Sequence, residues 1–244
     1  MRHQRKLKMM REAGRIAALC QKYLSSMIQP GIETGYLDRK AEEFICKNGG
    51  RPAFKGYRGF PGAICVSPNN VVIHGIPGNY QLREGDIVSI DLGVEKDGFF
   101  ADTAATFAVG KISEEKERLI SATKEALKAA IEKVKVGSTI DEISAAIEGV
   151  VKRAGFSVVR AFCGHGIGRY LHQKPEIPNF VSGNKFRLYP GLGLAIEPMV
   201  NYKSGQVKVL ADGWTVVTVD GAPSAHAEET VVVLEEGYEI ITRV

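Results

Sequence analysis

The chain has 244 residues, 44% of them hydrophobic and 25% charged, proportions that suit a soluble globular protein with ample material for a core. Net charge is +4, but the excess sits at the start, where Arg2, Arg5, Lys6, Lys8 and Arg11 have no acid among them; the remainder holds 27 basic against 28 acidic residues, which argues against a nucleic-acid-binding domain. No apolar run follows the basic start and no stretch is long enough to span a membrane, so neither a signal peptide nor an anchor is expected, and the cytoplasm is the expected location.

Residues 7–28 predict a helix, with Leu7, Met10, Gly14, Ala17, Leu24 and Ile28 on one side and Pro30-Gly31 as its stop. Its basic start reads as a solvated face; a transient tether to an anionic surface such as a ribosome is the alternative. A second helix is predicted over 34–48, ending at Gly49. Residues 50–85 are rich in Gly and Pro and predict loops and short strands. Ile87–Glu95 and Phe99–Val109 predict two strands joined by a tight turn at Asp97-Gly98. Two further helices are predicted over 113–134 and 139–154. The second opens on a capping-box pattern, Thr139-x-x-Glu142, and stops at Gly155. From 156 onward strands dominate, clearest at Trp214–Val219 and Glu229–Leu234. The four cysteines, Cys20, Cys46, Cys65 and Cys163, form no C-x-x-C pair.

A weak internal repeat runs at an offset of 106. Gly31, Leu37, Ala41, Phe44, Ile45 and Gly49 match Gly137, Ile143, Ile147, Val150, Val151 and Gly155. Helical periodicity explains some of these matches, but the same offset takes Asp91 to Glu197. The chain therefore reads as two similar halves, roughly 1–110 and 111–244. Each is a helix layer followed by a strand that carries an acid, and a pseudo-twofold axis would bring the acids together.

Asp91 lies among strand formers, in Ile87-Val88-Ser89-Ile90-Asp91-Leu92-Gly93, where an unpartnered carboxylate is costly. Asp102 follows across the turn. Any even-length tight turn puts the two side chains on one face, opposite or diagonal to each other. Two acids so placed raise each other's pKa unless a cation lies between them. Glu197 ends the run Leu194-Ala195-Ile196. Glu228 enters the strand Val231–Leu234 and alone would read as a cap or an exposed acid. His165 lies in Gly164-His165-Gly166-Ile167-Gly168, where the glycines allow close approach. A hydrogen-bonded histidine in a simple turn reads as well. Together the five offer four carboxylates and one imidazole, a set that suits hard or borderline divalent ions. Four negative charges balance two dications, and two such ions can share a water and clamp a tetrahedral transition state. His74 and His172 could donate to a scissile carbonyl, though as isolated residues they read as packed histidines. His226 is assigned no role.

These blocks, in this order, resemble the type I methionine aminopeptidases over nearly the whole chain. The most specific are Asn70-Val71-Val72-Ile73-His74-Gly75-Ile76-Pro77, Gly85 to Asp91, Asp97 to Thr103, Gly164 to Gly168, and Ile196-Glu197-Pro198-Met199. The resemblance implies an α+β "pita-bread" fold: one catalytic domain over 1–244, two pseudo-twofold-related halves, and a curved, mainly antiparallel sheet backed by helices. It implies that Asp91, Asp102, His165, Glu197 and Glu228 bind two divalent ions, from among Co, Mn, Fe, Zn and Ni, with Asp102 and Glu228 bridging them. It implies a metal-activated water as nucleophile, Glu197 as proton shuttle, and His74 and His172 as substrate contacts. A methionine pocket maps to Tyr57, Phe60, Cys65, Leu171 and Trp214. The implied activity is removal of the initiator methionine from nascent polypeptides, favouring a small second residue, in a short, bacterial-type form expected to be a monomer. Glu229 stands where the family commonly has histidine, which puts an extra charge beside the ligand Glu228. Phe60, Phe162 and Leu171 also depart from the usual types. The rival readings are a proline-specific peptidase of the same fold and a non-catalytic binding module.

Overall fold

The computed structural model describes residues 2–244, with side chains from Lys6 onward. Arg2, His3 and Arg5 of the basic start therefore lie outside the described side chains.

Four α-helices are present among the described residues: α1 (Arg2–Ser25), α2 (Thr34–Lys47), α3 (Glu114–Ile131) and α4 (Ile140–Arg153). The first ends at Ser25, three residues before the expected stop, in a turn where Met27 N–H donates to the Leu24 carbonyl. Ser113 caps α3 by accepting from Lys116 N–H, and the helix gives way to a turn after Ile131. The capping box of α4 forms as its Thr139/Glu142 spacing predicts.

The helices back a nine-stranded sheet in which every pairing is antiparallel. Its path runs from Arg51–Pro52 through Ile87–Lys96, Phe99–Ala108, Glu228–Val233, Gly193–Ile196 and Cys163–Ile167 to Gln173–Pro178. The predicted hairpin closes on a two-residue turn with both φ positive, 51° at Asp97 and 79° at Gly98, and Lys96 paired with Phe99. That turn type matches the twist of the strands it joins. The predicted strand Trp214–Val219 is shorter, Val216–Thr218, because Asp212 accepts from the N–H groups of Trp214 and Thr215 and holds them in a turn.

The 106-residue repeat is a repeat of structure. Helix α4 is α2 displaced by 106 at both ends. Gly31 N–H donates to Leu82, and Gly137 N–H to Leu188; Thr34 N–H donates to Tyr80, and Ile140 N–H to Phe186; Gly50 N–H donates to Ile45, and Phe156 N–H to Val151. Two main cores are buried, one beneath α1 and α2 and one beneath α3 and α4. Met10, Leu24, Leu37 and Ile45 pack on Ile90 and Leu92. Leu119, Ile131, Ile143 and Ile147 pack on Leu194 and Val231. At Gly14 a Cβ would stand 2.2 Å from the Ile241 carbonyl oxygen, so only glycine lets α1 lie this close to the C-terminal segment. The halves join where Glu228 pairs with Ala104 and Glu229 with Thr103. Thr103 Oγ1 donates to the Glu228 carbonyl at 3.0 Å, and Thr230 Oγ1 exchanges hydrogen bonds with the backbone of Asp102, each 2.8 Å. The junction of the halves is therefore also where the acids meet.

Candidate active site

Asp91 pairs with Ala104, and Asp102 with Gly93. The two aspartates are thus diagonal neighbours on one face, one of the two arrangements the turn parity allows. Glu228, opposite Ala104, continues that face onto the next strand. Glu197 follows directly on the strand Gly193–Ile196. His165 is brought in by Cys163–Ile167, with Ala195 beside it. Gly164 makes this packing possible, since a Cβ there would meet the Ala195 carbonyl oxygen at 2.5 Å.

Asp91, Asp102, His165 and Glu228 are buried, each less than a tenth exposed. Ligand atoms of Asp102, His165 and Glu228 lie within 4.8 Å of one another, as do those of Glu197, His226 and Glu228. Burial first, and then the charges of Asp102 and Glu197, push the Asp91 carboxyl well above its usual range. Burial and the charge of Asp102 raise Glu197, and burial with the charges of Asp102, Glu197 and Asp91 raises Glu228. Asp102 rises less, because Thr103 N–H and Asp91 hydrogen-bond its charged form. Burial lowers the imidazoles, His165 and His226 to about 3 and His74 and His172 to about 4, so all four are neutral.

The arrangement fits divalent cations. Asp91 Oδ1 and Glu228 Oε1 are buried and have no hydrogen-bond partner, and a cation would satisfy them and offset the crowded negative charge. The donor set of four carboxylates and a neutral imidazole suits borderline ions.

These residues line a cavity of about 550 Å³. Tyr57, Phe60, Cys65 and Trp214 line it as expected, with Phe60 edge-on to Trp214 at 5.2 Å between ring centroids. Leu171 does not: it turns inward and packs in the first core, while its neighbour His172 faces the cavity. Phe162, one of the departures from the usual types, also lines the cavity, and Phe54, Ile73 and Met199, which no sequence motif singles out, complete the aromatic and apolar wall. His74 holds a left-handed backbone, φ 56°, and sits edge-on to both Phe162 and Trp214. A strained backbone of this kind is typical of functional positions. His172 Nδ1 is 3.0 Å from Tyr57 Oη, and its ring centroid is 4.2 Å from that of His165. A second cavity, about 670 Å³, lies between α1 and α3 and is lined by none of the histidines.

Glu229, the departure beside Glu228, alternates to the other face of the strand. It accepts there from Thr242 Oγ1 and from Arg243 Nε, the latter at 2.7 Å. Its charge ties the C-terminal segment to the site strand instead of entering the cavity.

The fold and the acid cluster define a class. The family model for metallopeptidase family M24 matches residues 8–235, and the chain belongs to that family, on the side of the methionine aminopeptidases. Methionine aminopeptidase of Clostridium perfringens is 52% identical over 243 residues, covering 99% of this chain and 98% of that one. Methionine aminopeptidase 1 of Bacillus subtilis is 51% identical, covering 98% and 97%. The crystal structure of methionine aminopeptidase from Thermotoga maritima superposes with a TM-score of 0.96 at 40% identity, over 98% of this chain and 97% of that one. The prolidase of Pyrococcus furiosus shares the fold, with a TM-score of 0.81 at 22% identity, but this chain covers only 64% of it. The fold is the pita-bread fold, and the residues above are the candidate ligands for the metal of a metallopeptidase. No described helix is long and apolar enough to cross a membrane.

Proposed function

We propose that this protein is a methionyl aminopeptidase that hydrolyses the first peptide bond of nascent polypeptides, using two divalent ions held by Asp91, Asp102, His165, Glu197 and Glu228. The observation that carries the reading is the meeting of four crowded carboxylates and a neutral imidazole on the floor of a cavity with an aromatic wall. One dication would leave surplus negative charge in a buried pocket; two balance it. When bound, such ions polarise a carbonyl and lower the pKa of water.

The chain's own residues divide the remaining work. Phe60, Trp214, Cys65 and Tyr57 take the methionine side chain against apolar and aromatic surface. Cys65 serves as a small apolar filler, since burial raises its thiol well above the usual range. Tyr57 Oη–H donates to His172 Nδ1, leaving Nε2–H to donate to the scissile carbonyl. His74, neutral and held in place between Phe162 and Trp214, donates from the other side. Glu197, whose carboxyl is raised by burial, takes a proton from the attacking water and returns it to the leaving amine. Preference for a small second residue rests on the family resemblance. The same reading makes 1–244 one catalytic domain, monomeric and cytoplasmic, meeting nascent N-termini with at most transient contact to the ribosome.

Turnover of Met-Ala-Ser against Ala-Pro-Ala by metal-loaded protein tests the substrate. Methionine release from the first is expected; preference for the second would assign the chain to the proline-specific peptidases.

A further inference from the structure

The repeat gives His226 a defined place. Asp102 pairs across its hairpin with Gly93, and His226 pairs with Met199. Gly93 and Met199 are separated by the same 106 residues that separate Asp91 and Glu197. His226 therefore occupies in the second half the position that Asp102 holds in the first. Its backbone is fixed by Thr106, whose Oγ1 accepts from His226 N–H at 2.9 Å and donates to the His226 carbonyl at 2.8 Å.

The side chain is 1% exposed, and neither ring nitrogen has a hydrogen-bond partner. Leaving both unmet is costly. Nε2 points at the cluster, 3.4 Å from Glu197 Oε2, while the other oxygen of that carboxylate, Oε1, faces His165 Nε2 at 3.6 Å. The two oxygens of Glu197 are thus shared between two imidazoles. Among the described residues no other side chain or N–H hydrogen-bonds to this carboxylate. A separation of 3.4 Å is long for an N–H···O bond, and a small rotation of either side chain closes it.

We infer that His226 is a positioning residue of the metal site: it donates Nε2–H to Glu197 Oε2 and so keeps Oε1 turned toward His165, where the two could hold a cation together. The inference rests on the proposed reading of Glu197 as a ligand. It makes the two halves unequal by design. Asp102 would hold an ion itself, whereas its counterpart His226 acts through Glu197. A carboxylate that ligates through one oxygen is oriented by the donor on the other.

Proton-detected ¹⁵N spectra of the histidine rings in zinc-loaded wild-type protein test this without a substitution. His226 should retain Nε2–H and show no zinc-induced shift of a ligating nitrogen. A deprotonated, zinc-bound Nε2 would make His226 a ligand and overturn the positioning role. Calorimetric titration with zinc supplies the second arm. His226→Leu, which removes the donor at similar volume, should weaken zinc binding about 10–100-fold, and His226→Gln, which restores a donor, should recover most of the loss. Wild-type affinity in His226→Leu overturns this inference alone. Wild-type protein that takes up no zinc overturns the metal reading, and this inference with it.

Discussion

His165 Nε2 stands 3.6 Å from Glu197 Oε1, while Nδ1 of the same ring is 3.0 Å from the Gly166 carbonyl oxygen. Nδ1 carries the proton, because only a donor can face that carbonyl. Nε2 then presents a lone pair to a carboxylate oxygen. Burial lowers the His165 pKa to about 3, so the imidazole stays neutral, and the lone pair it presents is met either by a proton that the raised Glu197 carboxyl holds or by a cation between the two atoms.

Without metal the site destabilises the fold, increasingly as pH rises. Unfolded carboxyls titrate near pH 4, whereas folded Asp102 titrates at about 7 and burial with like charge raises its three neighbours well above their usual range. A folded pKa above the unfolded value stabilises at low pH, and that contribution is lost as pH rises from about 4 through about 7. Urea denaturation of chelator-treated protein at pH 5 and pH 7.5 should show lower stability at the higher pH. Zinc at 100 times its Kd should add about 2.7 kcal/mol and flatten the dependence. Equal stability of the metal-free protein at both pH values would count against the crowding.

Asp102→Asn separates folding from chemistry. Removing one of the four charges should raise the melting temperature of the metal-free protein at pH 7.5 while abolishing turnover and weakening metal uptake. Unaltered turnover would remove Asp102 from the site.

His172 should matter to rate and little to stability. It lines the cavity and is exposed, so His172→Ala should lower kcat about 10²–10³-fold with a melting temperature near wild type. Tyr57→Phe removes one hydrogen bond to His172, worth about 1 kcal/mol, and should cost roughly five-fold in kcat. Parallel loss of melting temperature in His172→Ala would make the residue structural.

On the proposed reading, the aromatic wall should set the preference for the first residue. Phe60→Ala opens the slot beside Trp214 and should lower kcat/KM for Met-Ala-Ser by about 10–200-fold. Relative acceptance of Phe-Ala-Ser should rise. An unchanged ratio between the two peptides would move the methionine pocket elsewhere.

Local chemistry made part of this site legible in the sequence. Asp97-Gly98 specifies a two-residue turn, and the turn's parity puts Asp91 and Asp102 on one face. The 106-residue repeat is legible because the same caps, glycines and helix length recur, and its hydrogen bonds repeat in register. Glu228 was not legible alone, since its environment comes from pairing with Ala104, over a hundred residues away. The same holds for His226, which faces Glu197 only through the pairing of its strand with Met199. Leu171 shows the limit from the other side: beside His172 in sequence, it points into the core, because neighbours in an irregular segment need not share a face. The methionine, and the roles proposed for His74 and His172, rest on the family resemblance, since no spacing rule contains them.

The most direct test of the central claim is methionine release from Met-Ala-Ser by chelator-treated protein titrated with a divalent ion, with bound metal measured on the same samples. Turnover should be absent in the stripped protein, return on addition of the ion, and track metal bound to Asp91, Asp102, His165, Glu197 and Glu228, saturating at two ions per chain. Undiminished turnover by metal-free protein, or metal-loaded protein that leaves the peptide intact, would contradict it.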